Sequence, residues 1–83
     1  MPKLSSRELA VLSNIISSKP TMRTALDSLC RVENILTLAL VERINQISFE
    51  LTGEPAIEVA SSDIHLEIDV LKTIHEREHT SDD

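Results

Sequence analysis

Glycine, cysteine and aromatic residues are almost missing: Gly53, Cys30 and Phe49 stand alone in 83 residues, with no Trp and no Tyr. One glycine cannot build a phosphate-cradling loop, where several are needed for close backbone approach. One cysteine cannot form an intramolecular disulfide, which predicts a reducing, cytoplasmic setting. A single ring offers no stacking platform for single-stranded nucleic acid. Apolar runs stay far short of the roughly 20 residues of a membrane span. Met1-Pro2-Lys3-Leu4 carries no signal-peptide stretch, so no membrane partner is expected.

Positive charge is scarce in the second half. Residues 1–53 hold six bases (Lys3, Arg7, Lys19, Arg23, Arg31, Arg43) against five acids (Glu8, Asp27, Glu33, Glu42, Glu50). Residues 54–83 hold two (Lys72, Arg77) against nine (Glu54, Glu58, Asp63, Glu67, Asp69, Glu76, Glu78, Asp82, Asp83), and the chain nets −6. A phosphate backbone is repelled by such a surface, which disfavours nucleic acid; the acids read first as an ordinary solvated surface and second as a face for a basic protein partner.

What the sequence has in quantity is aliphatic: apolar residues make up 41% of the chain, most of them Ile, Leu and Val. That richness with so little glycine predicts an all-α fold of three helices in one domain over 1–79, with a disordered tail over 80–83. Ser5-Ser6-Arg7-Glu8 reads as a capping box flanked by the Leu4/Leu9 staple, opening a first helix that stops at Lys19-Pro20. A second helix, capped by Thr21, is expected to run from Met22 to Leu51 and to end at Gly53 and Pro55. Its stripe is Met22, Leu26, Leu29, Leu36, Leu40, Ile44, Ile47 and Leu51, and from Ile35 to Val41 it is apolar all round. A rod of roughly 45 Å in so small a chain needs covering from outside. A homodimer is therefore expected, its seam formed by Leu36, Leu40, Ile44 and Ile47. Glu33, inside that stripe, would set register between the chains or mark an opening to solvent. Residues 64–70 alternate as a strand would, yet Ile57, Ala60, Ile64, Ile68 and Leu71 also fit a helical stripe. With no second strand in view, a third, acidic helix is expected there, broken near Ser61-Ser62-Asp63 and frayed from Glu78 onward.

Candidate chemistry is thin. His75-Glu76-Arg77-Glu78-His79 spells H-E-x-x-H, whose histidines share a helix face. A catalytic zinc needs a third ligand and a cleft, and only Thr80, Ser81, Asp82 and Asp83 follow. Cys30 sits on the apolar stripe, where it reads as core rather than nucleophile. No serine lies in a G-x-S-x-G turn. Neither catalytic residues nor a metal or other cofactor are expected.

Leu4-Ser5-Ser6-Arg7-Glu8-Leu9-Ala10-Val11-Leu12 resembles the opening of the LuxR/GerE-type DNA-binding domain, which often begins L-T-x-R-E-x-x-V-L. The resemblance covers nine residues and implies a helix-turn-helix and a DNA-binding transcriptional regulator. The chain departs from it beyond that point: the family's glycine-bearing turn is absent. The helix that would enter the groove, roughly Val32 to Ile44, offers Leu36, Leu38 and Leu40 where base-reading side chains belong. The function expected first is thus a small non-enzymatic adaptor, regulator or inhibitor that binds another protein. Glu58, Glu67 and Asp69 are its expected contacts to a basic partner. A DNA-binding regulator with a degenerate helix-turn-helix is the alternative.

Overall fold

The structure, a computed structural model, describes residues 4–80. Helix α1 (Ser6–Ser18) begins as its capping box dictates. The Ser5 hydroxyl accepts from the Glu8 amide at 3.2 Å, and the Glu8 carboxylate accepts from the Ser5 amide at 2.8 Å. Lys19, left-handed at φ 48°, and Pro20 end it.

The helix expected over 22–51 is two helices, α2 (Arg23–Val32) and α3 (Thr37–Thr52). The break has a backbone cause at Asn34, which sits at φ 57°, in the left-handed region that Asn tolerates better than most residues. Its amide donates to the Arg31 carbonyl at 3.0 Å, and the Ile35 amide donates to the Cys30 carbonyl at 2.9 Å. Those two bonds are the Schellman helix ending, with Asn in the usual place of Gly. Thr21 does not cap α2. Met22 holds the N-cap position with no side-chain bond. The first amide, Arg23, instead donates to the Ser62 carbonyl at 2.8 Å. Gly53, at φ 80°, ends α3 as expected.

The expected third helix is corrected as well. Residues Ile57–Val59 (β1) and Ile64–Leu66 (β2) form an antiparallel hairpin pairing Ile57 with Leu66, Glu58 with His65 and Val59 with Ile64. The strand partner that was not visible in advance is β1 itself. Ser61 and Ser62 form the tip rather than a helix start. Met22 adds a bridge to Asp63, with the Ile64 amide donating to the Thr21 carbonyl at 3.0 Å. The helical stripe resumes only in α4 (Ile68–Thr80), which buries Leu71 and Ile74. α4 runs through Glu78, whose carboxylate accepts from the Leu4 amide at 2.7 Å. Residues 81–83 of the expected tail lie outside the described residues. Among the described residues the fold is therefore mostly helical, four helices with a two-stranded sheet, rather than three helices alone.

Every element contributes to one core: Val11, Leu12 and Ile15 from α1, Leu26 and Cys30 from α2, Leu40 and Ile44 from α3, Ile57 from β1, Ile64 from β2, Leu71 and Ile74 from α4. Breaking the long helix is what allows this, because α3 folds back and is covered by its own chain. Leu40 and Ile44 are fully buried and Ile47 is 9% exposed, so these three positions of the expected seam face inward. Only Leu36, at 79%, lies on the surface.

Candidate protein-binding face

Helix α3 is held to the rest of the chain at four points. The Thr37 hydroxyl donates to the Asp27 carboxylate at 2.6 Å, tying the start of α3 to α2 across the turn. Arg43 Nε meets the Glu8 carboxylate of α1 at 2.9 Å. The Asn45 carboxamide accepts from the amides of Ala56 and Ile57 and donates to the Ile57 carbonyl, each at 2.9 Å. Buried Ser48 donates to the Glu54 carbonyl at 2.6 Å. With Leu40, Val41, Ile44 and Ile47 in the core, the rotation of α3 about its axis is fixed.

What this rotation turns outward is Leu38, Ala39, Glu42, Gln46, Phe49 and Glu50, all exposed. At about 100° per residue these six fall within an arc of roughly 120°. Leu38, Glu42, Gln46 and Glu50 form one row at four-residue spacing, with Phe49 beside it. Leu38 is 55% and Phe49 52% exposed, two large apolar side chains on one face of a helix. Val32 and Leu36, 75% and 79% exposed, lie by the turn that precedes this face.

α2, the four residues 33–36 and α3 follow one another as helix, turn and helix, the order of elements in a DNA-binding helix-turn-helix. Asn34 supplies the left-handed turn residue for which the sequence offers no glycine. The chemistry of α3 is unlike that of a reading helix. Its outward face carries two carboxylates, one carboxamide and two large apolar groups. Its one basic residue, Arg43, is engaged with Glu8 on α1. The hairpin tip, Ala60-Ser61-Ser62-Asp63, has no base either.

Beyond the C-terminal end of α3 lies a cavity of about 320 Å³ lined by Thr52, Glu54, Pro55, Glu58, Glu67 and Val70. It brings together two of the three residues expected to meet a basic partner, Glu58 and Glu67, and adds Glu54. Glu67 also meets His65 Nε2 at 2.7 Å. Asp69 is exposed in the first turn of α4 but is not among the lining residues.

The remaining sites of interest fall elsewhere. His75 and His79 stack one turn apart on α4, ring centres 5.8 Å apart, and among the described residues no third ligand-type side chain completes a metal-binding group. Cys30 is buried. Burial pushes its thiol up, nearby Asp27 adds to that, and a hydrogen bond with Thr37 offsets part of it. Glu33 ends α2, half-buried. No helix among the described residues is long and apolar enough to cross a membrane. No protein-family model, curated protein or solved structure matches the chain.

Sequence reasoning passed over Gln46, Phe49 and Glu54 and treated Leu38 as one more residue of an apolar cylinder. The signal was present once Asn34 is taken as a helix end. From Thr37 onward the core residues then repeat as Leu40, Val41, Ile44, Ile47, Ser48 and Leu51. Leu38 and Phe49 lie on the opposite side of that repeat.

Proposed function

We propose that this chain is a non-enzymatic protein-binding regulator, adaptor or inhibitor that uses a helix-turn-helix scaffold to present α3 to another protein. The observation that carries this reading is the outward face of α3: Leu38 and Phe49 exposed, Glu42 and Glu50 between and beside them, and its only arginine held by Glu8. Exposed aromatic and aliphatic groups on a rigid helix are what protein partners bury. Carboxylates at the same positions repel phosphate. Self-association is not required by this reading, because three of the four residues expected to drive it already lie in the core.

A DNA-binding regulator is the second reading, favoured by one observation, the turn built on Asn34 between α2 and α3. Two measurements separate them. A photo-reactive residue in place of Gln46 should crosslink the chain to a protein in its native host, and the crosslink should vanish in Phe49→Asp. Mobility shifts with duplex DNA at low ionic strength should show no complex. Salt-sensitive duplex binding that Gln46→Ala weakens, with no protein crosslink, would put the second reading first.

A further inference from the structure

Resting on the protein-binding reading, we infer that the partner presents a basic, amphipathic helix that lies along α3 and directs a lysine or arginine into the cavity of Glu54, Glu58 and Glu67. The charge of the segment that carries the face and the cavity selects this occupant. From Thr37 to Asp69 the chain holds seven acids, Glu42, Glu50, Glu54, Glu58, Asp63, Glu67 and Asp69, against one base, Arg43. That base lies against Glu8, at 2.9 Å. A second copy of the chain would bring the same negative surface to this one, and like charges facing each other oppose the contact. A nucleic acid would meet the same repulsion.

The layout of the face sets the partner's pattern. Leu38 and Phe49 lie eleven residues apart, about 16 Å along the helix axis. Between them run Glu42 and Gln46, with Glu50 one position beyond Phe49. A docked helix therefore carries apolar anchors about three turns apart, with lysine or arginine between them. Phe49 stands one turn before Thr52, which lines the cavity, so the apolar end of the face leads into the acidic pocket. The cavity suits a long cationic side chain: Pro55 and Val70 line it with apolar residues that suit its methylene stem, and Glu54, Glu58 and Glu67, the last already paired with His65, line it with acids that suit its head.

The test uses the isotope-labelled full chain and two helical peptides of about 16 residues, long enough to span the face. One has leucines at the anchor spacing with lysines between them. The other has glutamates in place of the lysines. A short DNA duplex is the third probe. At physiological ionic strength the basic peptide should bind, shifting amide resonances of residues 38–50 and 52–70 and leaving α1 unmoved. Glu54→Gln/Glu58→Gln/Glu67→Gln should weaken it about tenfold, the loss of three partly solvated charge contacts. Phe49→Ala should weaken it at least as much, with the fold intact by circular dichroism. Equal binding of the glutamate peptide, shifts confined to other surfaces, or no binding of the basic peptide would each overturn this inference. Concentration-dependent self-association through α3 would do the same. Such failures leave the protein-binding reading standing if the Gln46 crosslink still finds a protein. Shifts of α3 by the DNA duplex would overturn both.

Discussion

The carboxamide of Asn45 satisfies both backbone groups of Ile57, accepting from its amide and donating to its carbonyl at 2.9 Å each. It takes the Ala56 amide as well. One side chain on α3 thus does for β1 what a further strand would do, and it places the hairpin against the helix that carries the proposed face.

Replacing Asn45 by alanine should therefore be costly. Ile57 is buried, so its amide and carbonyl would lose their partners where water replaces them poorly. A loss of about 2 kcal/mol is expected, in the range for an unsatisfied buried polar group. Urea unfolding should show a lower midpoint with an unchanged slope. A midpoint equal to that of the unaltered chain would mean that the clamp contributes nothing.

Asn34 gives a sharper test, because two accounts of the chain predict opposite signs. In a helix running unbroken from Met22 to Leu51, Asn34→Ala would stabilise, since alanine is the better helix former. With Asn34 at φ 57° it should destabilise by about 1 kcal/mol, because alanine lacks the short polar side chain that lets Asn occupy the left-handed region, and Asn34→Val by more, because a β-branched side chain is strained there. Asn34→Gly should be neutral or better. Thermal midpoints of the three variants decide the order.

These residues also show how far the sequence could be read. The capping box, the stop at Lys19-Pro20 and the Gly53 ending were legible because each is a local rule with few competitors. The break at Asn34 was not, since its neighbours Val32, Ile35 and Leu36 keep the apolar count high, and asparagine is only occasionally a left-handed helix end. Residues 57–66 were misread for a different reason. Three-residue strands carry little periodicity, and their stability comes from Asn45 and from the backbone of 21–23, which no local pattern announces. The site followed the fold: Glu58 and Glu67 were named from charge alone, whereas Leu38 and Phe49 gained meaning only once the rotation of α3 was fixed.

Glu8 serves two elements, closing the cap of α1 and meeting Arg43 on α3. Glu8→Gln should retain the capping bond while losing the charge, for at most about 1 kcal/mol given that the Arg43 side chain is 41% exposed. Glu8→Ala removes both and should cost more, by about the 1 kcal/mol typical of a lost cap. If chemical denaturation gave the two variants equal stability, the ion pair would be the only contribution of this side chain. High salt should narrow the gap between the unaltered chain and Glu8→Gln, because screening weakens the pair but not the cap.

Cys30 links the core to alkaline pH. Burial raises its thiol above the ordinary value, so the folded chain keeps a proton that the unfolded chain releases first. Below the ordinary thiol range, near about 8.5, both states are protonated and this group adds no pH dependence. As pH rises through that value the unfolded state binds fewer protons than the native state, and stability falls until the folded thiol itself ionises. Urea midpoints followed from pH 7 into the alkaline range should thus decline more steeply for the unaltered chain than for Cys30→Ala, which loses a little packing but has no thiol to titrate. Parallel slopes would show that burial does not perturb the thiol. The same burial should make labelling by a thiol reagent depend on opening of the structure, with rates that rise in the destabilised Asn45→Ala chain.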